Sequence, residues 1–387
     1  MDSVKQQSKP NPSQRRLGDC LLAEGLLNTQ QLDEAIEYQC IYGGKLGTSL
    51  IELALMTEEQ LAKVLSQQLK LHYIKPELLM EVPVSLLSLI PKEIALKNKI
   101  VPYREDGKKL YVAMNDVTDL STIDDLSFQL DHVIIPLAIP EIRLMLALKK
   151  HYGLILSPRF ETLASQINRR KLAARKKTRL PDKKSKPAVS ESLIEDNKLW
   201  PLLGDEEYAG EEPTDEAYFA GKPPTGKNNS VNLLQQLADA KGRDDIAVAI
   251  INYLKKDFPD CALLMVRGNM ATGWLAGSNK TSQNFEQITI QMRDSSVFNL
   301  VATNDSHHLG PITNSSQNQK VLDYFKSWPP INALVIPLKV KDRLVSILYI
   351  QGALEELKNR LVGIQNIVDK AEMSFKLLIL RNKILIS

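Results

Sequence analysis

The sequence predicts an α+β protein: an N-terminal helical hairpin repeat with a small α/β subdomain, and a second α/β domain that closes the chain. Three observations predict it. Apolar residues recur at three- and four-residue spacing from Arg16 to Leu71, the mark of amphipathic helices. Strand-like runs bounded by turn residues follow, and they return beyond Cys261. Between the two blocks, Pro158 to Ser230 carries no periodicity and splits into a basic and an acidic half, as a solvated tether does. The chain has 387 residues, more than one ordinary core needs, so residues 1–14 are expected as a disordered tail, 15–72 as the helical subdomain, 73–155 as its α/β companion, 156–230 as a charged linker and 231–387 as the second domain.

Composition narrows the class. A hydrophobic content of 43%, a charged content of 25% and a net charge of +3 are those of an ordinary globular protein and predict no nucleic-acid coat. The apolar stretches Val82–Ile90 and His132–Pro140 fall well short of the ~18 residues of a membrane helix, and the polar Met1–Arg16 stretch has no secretory h-region. A cytoplasmic protein is expected. Cys20, Cys40 and Cys261 lie far apart without CxxC spacing, so reduced thiols are expected.

In the first block the chain repeats itself. A shift of 29 positions superposes Arg16-Leu17-Gly18 on Lys45-Leu46-Gly47, Leu21-Leu22 on Leu50-Ile51, Leu26-Leu27 on Leu55-Met56, Leu32 on Leu61 and Gln39 on Gln68. Capping signals fall in register too, Asn28 with Gln31 and Thr57 with Gln60, so each unit reads as a short helix, a turn at Gly25 or Ala54, and a second helix. Next, Pro83–Leu96 reads as helices, and Ile100–Tyr103 and Lys109–Ala113 read as strands joined by the turn Glu105-Asp106-Gly107.

This tandem pattern, with its Cys40–Gly44 spacer, resembles the motif of the MshEN domain, found at the N-terminus of type II secretion and type IV pilus ATPases. Ile90-Pro91, Ile100-Val101-Pro102 and Ala113-Met114-Asn115-Asp116 resemble the second half of that domain. The resemblance covers roughly residues 15–153 and implies a receptor for cyclic di-GMP, with half of the ligand held by each unit. Carried over from the family, the ligand-binding residues are Arg16, Leu17, Gly18, Leu21, Leu22, Gly25, Leu26, Leu27, Leu32 and Gln39 in the first unit. In the second they are Lys45, Leu46, Gly47, Leu50, Ile51, Leu55, Met56, Leu61 and Gln68.

The chemistry suits a two-fold symmetric dinucleotide. Arg16 can stack a planar guanidinium on a base, glycines 18 and 47 allow close approach of backbone, the leucines offer apolar contact, and the glutamines offer amides to polar edges. The second unit departs from the pattern at Lys45 and Ala54. The alternative is therefore a protein-interaction scaffold of the same fold that has lost its nucleotide.

Other signals exclude more than they add. Gly221-Lys-Pro-Pro-Thr-Gly226-Lys227 approximates a phosphate loop, but Asn228 replaces the magnesium-binding hydroxyl and two prolines stiffen it. His307 and His308 stand outside any metal-ligand spacing and read as a surface loop, and no GxSxG elbow occurs. No enzyme, metal or motor ATPase is expected.

From Val231 a helix to about Phe258 is expected, then strands at Cys261–Val266, Thr272–Ala276, Ile288–Met292, Ala333–Val340 and Leu344–Ile350. This order resembles a GAF-type domain, which implies a sensory or dimerising module. In the last helix Leu354, Leu357, Leu361, Ile364, Val368, Ala371, Phe375 and Leu378 alternate steps of three and four, a heptad seam expected to make a homodimer or to cover the sheet of its own domain. The partners implied are cyclic di-GMP and a protein of a secretion, pilus or motility system.

Overall fold

A computed structural model describes residues 16–177, 227–278, 280, 284–328 and 331–386. The expected tail, the acidic half of the expected linker and the glycine-lysine loop 221–226 lie outside the described residues.

The repeat folds as two helical hairpins, α1 (Leu17–Ala23) with α2 (Thr29–Tyr42), and α3 (Leu46–Glu52) with α4 (Glu58–Leu69). Both second helices open on a reciprocal capping box: Asn28 Oδ1 accepts from the Gln31 N–H at 2.8 Å, and Thr57 Oγ1 from the Gln60 N–H at 3.2 Å. At the two equivalent turns the backbone is left-handed, with φ +65° at Gly25 and +59° at Ala54. Glycine takes that conformation freely, whereas the Cβ of alanine is crowded there.

The short helices α5 (Val84–Leu87) and α6 (Lys92–Asn98) lead into a three-stranded sheet, ordered β1 (Ile100–Asp106), β2 (Lys109–Met114), β3 (Val133–Ala138). β1 and β2 form the expected hairpin. β3 is parallel to β2 and reached through α7 (Leu120–Leu130). Sequence reasoning missed this strand, because Pro136 within it breaks a strand signature; on an edge strand a missing N–H is tolerated. Helix α8 (Glu141–Tyr152) completes this layer.

The expected linker start is corrected. Residues Pro158–Lys177 form a helix, α9, whose Leu163 and Ile167 are buried with Leu21, Leu50 and Leu61 in the core of the hairpins. Its many basic residues hid that apolar face, and several of the charges have structural tasks. Arg159 grips Glu52 through two bonds, at 2.8 and 2.6 Å, and Arg170 Nη1 donates to the Ile51 carbonyl at 2.8 Å, near the end of α3.

The second domain begins with two helices rather than one, α10 (Lys227–Ala238) and α11 (Arg243–Leu254). Asp245 interrupts them by accepting the N–H groups of Lys241 and Gly242 at 2.9 and 3.0 Å. The strands are β4 (Cys261–Arg267), β5 (Met270–Ala276), β6 (Thr289–Gln291), β7 (His308–Pro311), β8 (Asn332–Val340) and β9 (Arg343–Gln351), in the antiparallel order β6-β5-β4-β9-β8-β7. His308, expected in a surface loop, starts the edge strand β7 opposite Val335.

One face of the sheet is covered by α12 (Val297–Asn304) and α13 (Ser316–Tyr324), the other by α10, α11 and the long α14 (Leu354–Ile386). The expected homodimer seam is taken up inside the chain. Leu357, Ile364, Val368, Ala371, Phe375 and Leu378 are buried against their own sheet and helices, because the sheet would otherwise present an uncovered apolar face.

That same core also takes in Tyr38, Ile41 and Tyr42 of α2, so a helix of the first domain packs into the second. Polar contacts surround the junction. Lys341 and Lys383 pair with Glu37, and Arg267 Nη2 donates to the Tyr42 carbonyl at 2.8 Å.

Candidate functional site

The first helices of the two repeat units converge on one cleft. Leu17 of α1 and its repeat mate Leu46 of α3 both line it, with Lys45, Gly47 and Thr48 at the start of α3 and Leu61 and Leu65 of α4 behind them. The opposite wall is the carboxyl end of the parallel pair β2 and β3, at Met114–Thr118 and Ala138–Glu141. Ligands of α/β sheets gather at such strand ends. The cleft holds about 220 Å³, below the ~300–1,000 Å³ of ordinary small-molecule pockets, a size for a base rather than a whole dinucleotide.

Its chemistry is mixed. The Lys45 ammonium donates to the Asn115 carbonyl, tying the second unit to the α/β layer, which gives a structural task to the lysine that departs from the motif. Asn115 Oδ1 is buried with no hydrogen-bond partner among the described residues, an acceptor facing an unmet demand. Asp116 accepts from the Thr118 hydroxyl at 2.7 Å and N–H at 2.9 Å, and these bonds, helped by Lys45, hold its carboxyl below the usual carboxylate range. Thr48 Oγ1 donates to Glu141 Oε2 at 2.7 Å. Carboxylate oxygens and an amide oxygen are acceptors for the donor edge of a guanine, and Lys45 supplies positive charge beside them.

The motif residues divide by burial. Leu21, Leu27, Leu32, Leu50, Ile51, Met56 and Leu61 are core, at most 5% exposed, so Leu21, Leu50 and Ile51 build the hairpins instead of facing bases. Gly47 is small for a packing reason: a Cβ there would stand 2.8 Å from Leu61 Cδ2. Gly18 is buried at the start of α1. Arg16, Gly25, Leu26 and Lys45 are exposed, and Leu17, Leu22, Leu46, Leu55, Gln39 and Gln68 are partly exposed. Gln39 reaches Gly44 instead of the cleft, its Nε2 donating to that carbonyl at 2.9 Å. Sequence reasoning missed Thr48, Asn115, Asp116 and Glu141 as cleft residues. Asn115 and Asp116 stand in a stretch that resembles the family, but it is the tertiary contact of Lys45 with the Asn115 carbonyl that brings this stretch to the start of α3.

Fold and cleft together define an α+β protein whose N-terminal unit joins a hairpin repeat to a small mixed sheet. Residues 69–158 match the MshEN domain family, and the chain carries this domain; the hairpin repeat lies immediately before the matched stretch. Among curated proteins the chain is similar to the type IV pilus assembly ATPase PilB of Myxococcus xanthus, 33% identical over 138 residues, which are 36% of this chain and 24% of that protein. The chain thus spans about a quarter of the length of that relative. Among solved structures it is similar to that of MshE with cdg, at 32% identity over 36% of this chain and all of the other, with a TM-score of 0.30. A GAF domain of A. aeolicus nlh2 is also similar, at 15% identity over 39% of this chain and 98% of the other, with a TM-score of 0.31. No described helix is long and apolar enough to cross a membrane, and no cluster of metal-ligating side chains occurs among the described residues.

Proposed function

We propose that this protein is a cytoplasmic cyclic di-GMP receptor without enzymatic activity, which couples the nucleotide to a protein partner in a pilus, secretion or motility system. The observation that carries this reading is the convergence of repeat mates Leu17 and Leu46 on one cleft. A symmetric ligand favours a site in which equivalent helix starts present equivalent backbone and side chains. Gly47 lines the cleft without a Cβ, and Lys45 beside it supplies positive charge for a phosphate. Arg16 stands one residue before Leu17 and is exposed, ready to stack on a base. Asp116, Asn115 and Glu141 supply acceptors for a guanine edge. The MshEN match at 69–158 supports the choice of ligand, and the likeness to a pilus assembly ATPase supports the choice of system.

The two units should grip unequally. Arg16 has an exposed planar cation, whereas Lys45 is engaged with the Asn115 carbonyl. Loss of a base-stacking cation costs ~1–3 kcal/mol, so Arg16→Ala should weaken cyclic di-GMP binding about ten- to a hundredfold in calorimetric titration of the full chain. Lys45→Ala should weaken it less, and Gln39→Ala and Gln68→Ala are companions in the series. A folded Arg16→Ala variant that binds like the parent would leave the scaffold as the better reading.

A further inference from the structure

A second and larger cavity, of about 460 Å³, lies where the two domains meet, away from the MshEN cleft. Three arginines from three elements face it: Arg159 of α9, Arg243 of α11 and Arg267 of β4. Their donors are not equally occupied. Arg159 is engaged by Glu52 and by the carbonyls of Tyr42 and Gly43, at 3.1 and 2.8 Å, which take four of its five N–H donors. Arg267 gives one hydrogen bond, to the Tyr42 carbonyl, and stands over the Tyr42 ring at 4.7 Å. Its Nε is buried without an acceptor, and no carboxylate among the described residues forms an ion pair with it.

The Arg243 side chain makes no hydrogen bond within the described residues. Its Nε is likewise buried without an acceptor, it lies 5.3 Å from the Trp274 ring, and its ionic neighbour is the largely exposed Asp244 at 3.5 Å. Asp244 is already engaged by Trp274 Nε1 at 2.8 Å. The other carboxylates at the cavity are Glu141, which holds the Thr48 hydroxyl, and the exposed Glu286. Backbone geometry admits the arginines: a Cβ on Gly43 would stand 2.6 Å from Arg243 Nε, and one on Gly44 2.8 Å from Arg159 Nη1. Burial, together with the charges of Arg159 and Arg243, pushes the pKa of the Arg267 guanidinium down to about 10. Crowding of like charge in a half-closed space is relieved when an anion enters it.

We propose that this interdomain cavity binds the phosphate of a small phosphorylated molecule of the nucleoside-monophosphate class, with Arg243 and Arg267 as the oxyanion clamp. Paired guanidinium forks suit phosphate oxygens, and the space exceeds what a bare phosphate needs. Phe160, Trp274 and Leu275 supply an apolar wall for the remainder. The site is independent of the cyclic di-GMP reading and shares only Glu141 with the first cleft.

The test is calorimetric titration of the full chain with adenosine monophosphate, adenosine and inorganic phosphate, since adenine lacks the guanine donor edge that the first cleft would take, alongside intrinsic fluorescence, since Trp274 lines the cavity. The monophosphate should bind, and adenosine should not. Arg243→Gln should weaken the monophosphate roughly ten- to a hundredfold, the value of a charge-assisted contact, while leaving the melting temperature and cyclic di-GMP binding as in the parent. Inorganic phosphate binding as tightly as the monophosphate would support the clamp and identify free phosphate as its occupant. The proposal is overturned if adenosine binds as well as its monophosphate, if neither phosphate species binds more tightly than about 1 mM, or if Arg243→Gln changes nothing.

Discussion

Removing the carboxylate of Glu58 should loosen the hairpin repeat from the α/β layer that forms the other wall of the cleft. Glu58 opens α4 and is 4% exposed; it accepts from Arg143 Nε at 2.9 Å and Nη2 at 2.6 Å, and from Lys171 Nζ at 3.1 Å. Arg143, on α8, is itself 7% exposed. In Glu58→Ala the guanidinium stays buried without its partner, a loss of about 3–5 kcal/mol. Lys171 cannot make it good, being of like charge and already shared with Glu77. For a unit of this size each kcal/mol moves the midpoint by about 2–4 °C, so the first thermal transition of the full chain should fall by about 6–20 °C in circular dichroism. The double variant Glu58→Leu with Arg143→Leu should recover most of that loss, because two apolar side chains need no desolvation of charge. A Glu58→Ala melt within about 4 °C of the parent, or a double variant no better than the single, would refute the reasoning.

Three further outcomes are expected. Ala54→Gly should raise stability by up to about 1 kcal/mol, because the ~1–2 kcal/mol cost of a left-handed alanine exceeds the entropy glycine adds, and Gly25→Ala should lower it by about as much; urea unfolding reads both. Burial alone would raise the Glu37 carboxyl, but bonds from Lys341 and Lys383 hold it below its ordinary 4.5. Its contribution is therefore present above that value and lost as pH falls through the lower folded one, so interdomain contact followed by hydrogen exchange on α2 should weaken in acid and not near neutrality. Val368→Glu should collapse the near-ultraviolet signal of the second domain rather than turn a dimer into a folded monomer in sedimentation, since Val368 is 3% exposed within its own chain.

What could be read from the sequence was local. The 29-residue register carried both hairpins, both capping boxes and the turns at Gly25 and Ala54, because each depends on residues within one unit. The β1–β2 hairpin and most strands of the second sheet were legible for the same reason. Where a residue's partner is distant, the pattern fell silent. Helical spacing marks Leu361 and Val368 as apolar but cannot say whether a second copy or the chain's own sheet covers them. Asp116 and Glu141 meet the start of α3 only in the folded chain, and Glu141 follows β3, a strand hidden by Pro136. Leu163 and Ile167 were hidden by the lysines and arginines around them, whose charge reads as tether until Glu52 and Glu58 are seen beneath it.

Helix α2 has a consequence for anyone who divides this molecule. It belongs by sequence to the proposed nucleotide-binding repeat, yet Tyr38, Ile41 and Tyr42 complete the hydrophobic interior of the other domain. A fragment ending near residue 153 would uncover those rings and also lack Leu163 and Ile167, so it would present sticky surface on two sides. The natural seam between the modules therefore does not coincide with the charged stretch that separates them along the chain. Fragment exchange between such proteins would have to carry α2 and its docking surface together, or swap neither.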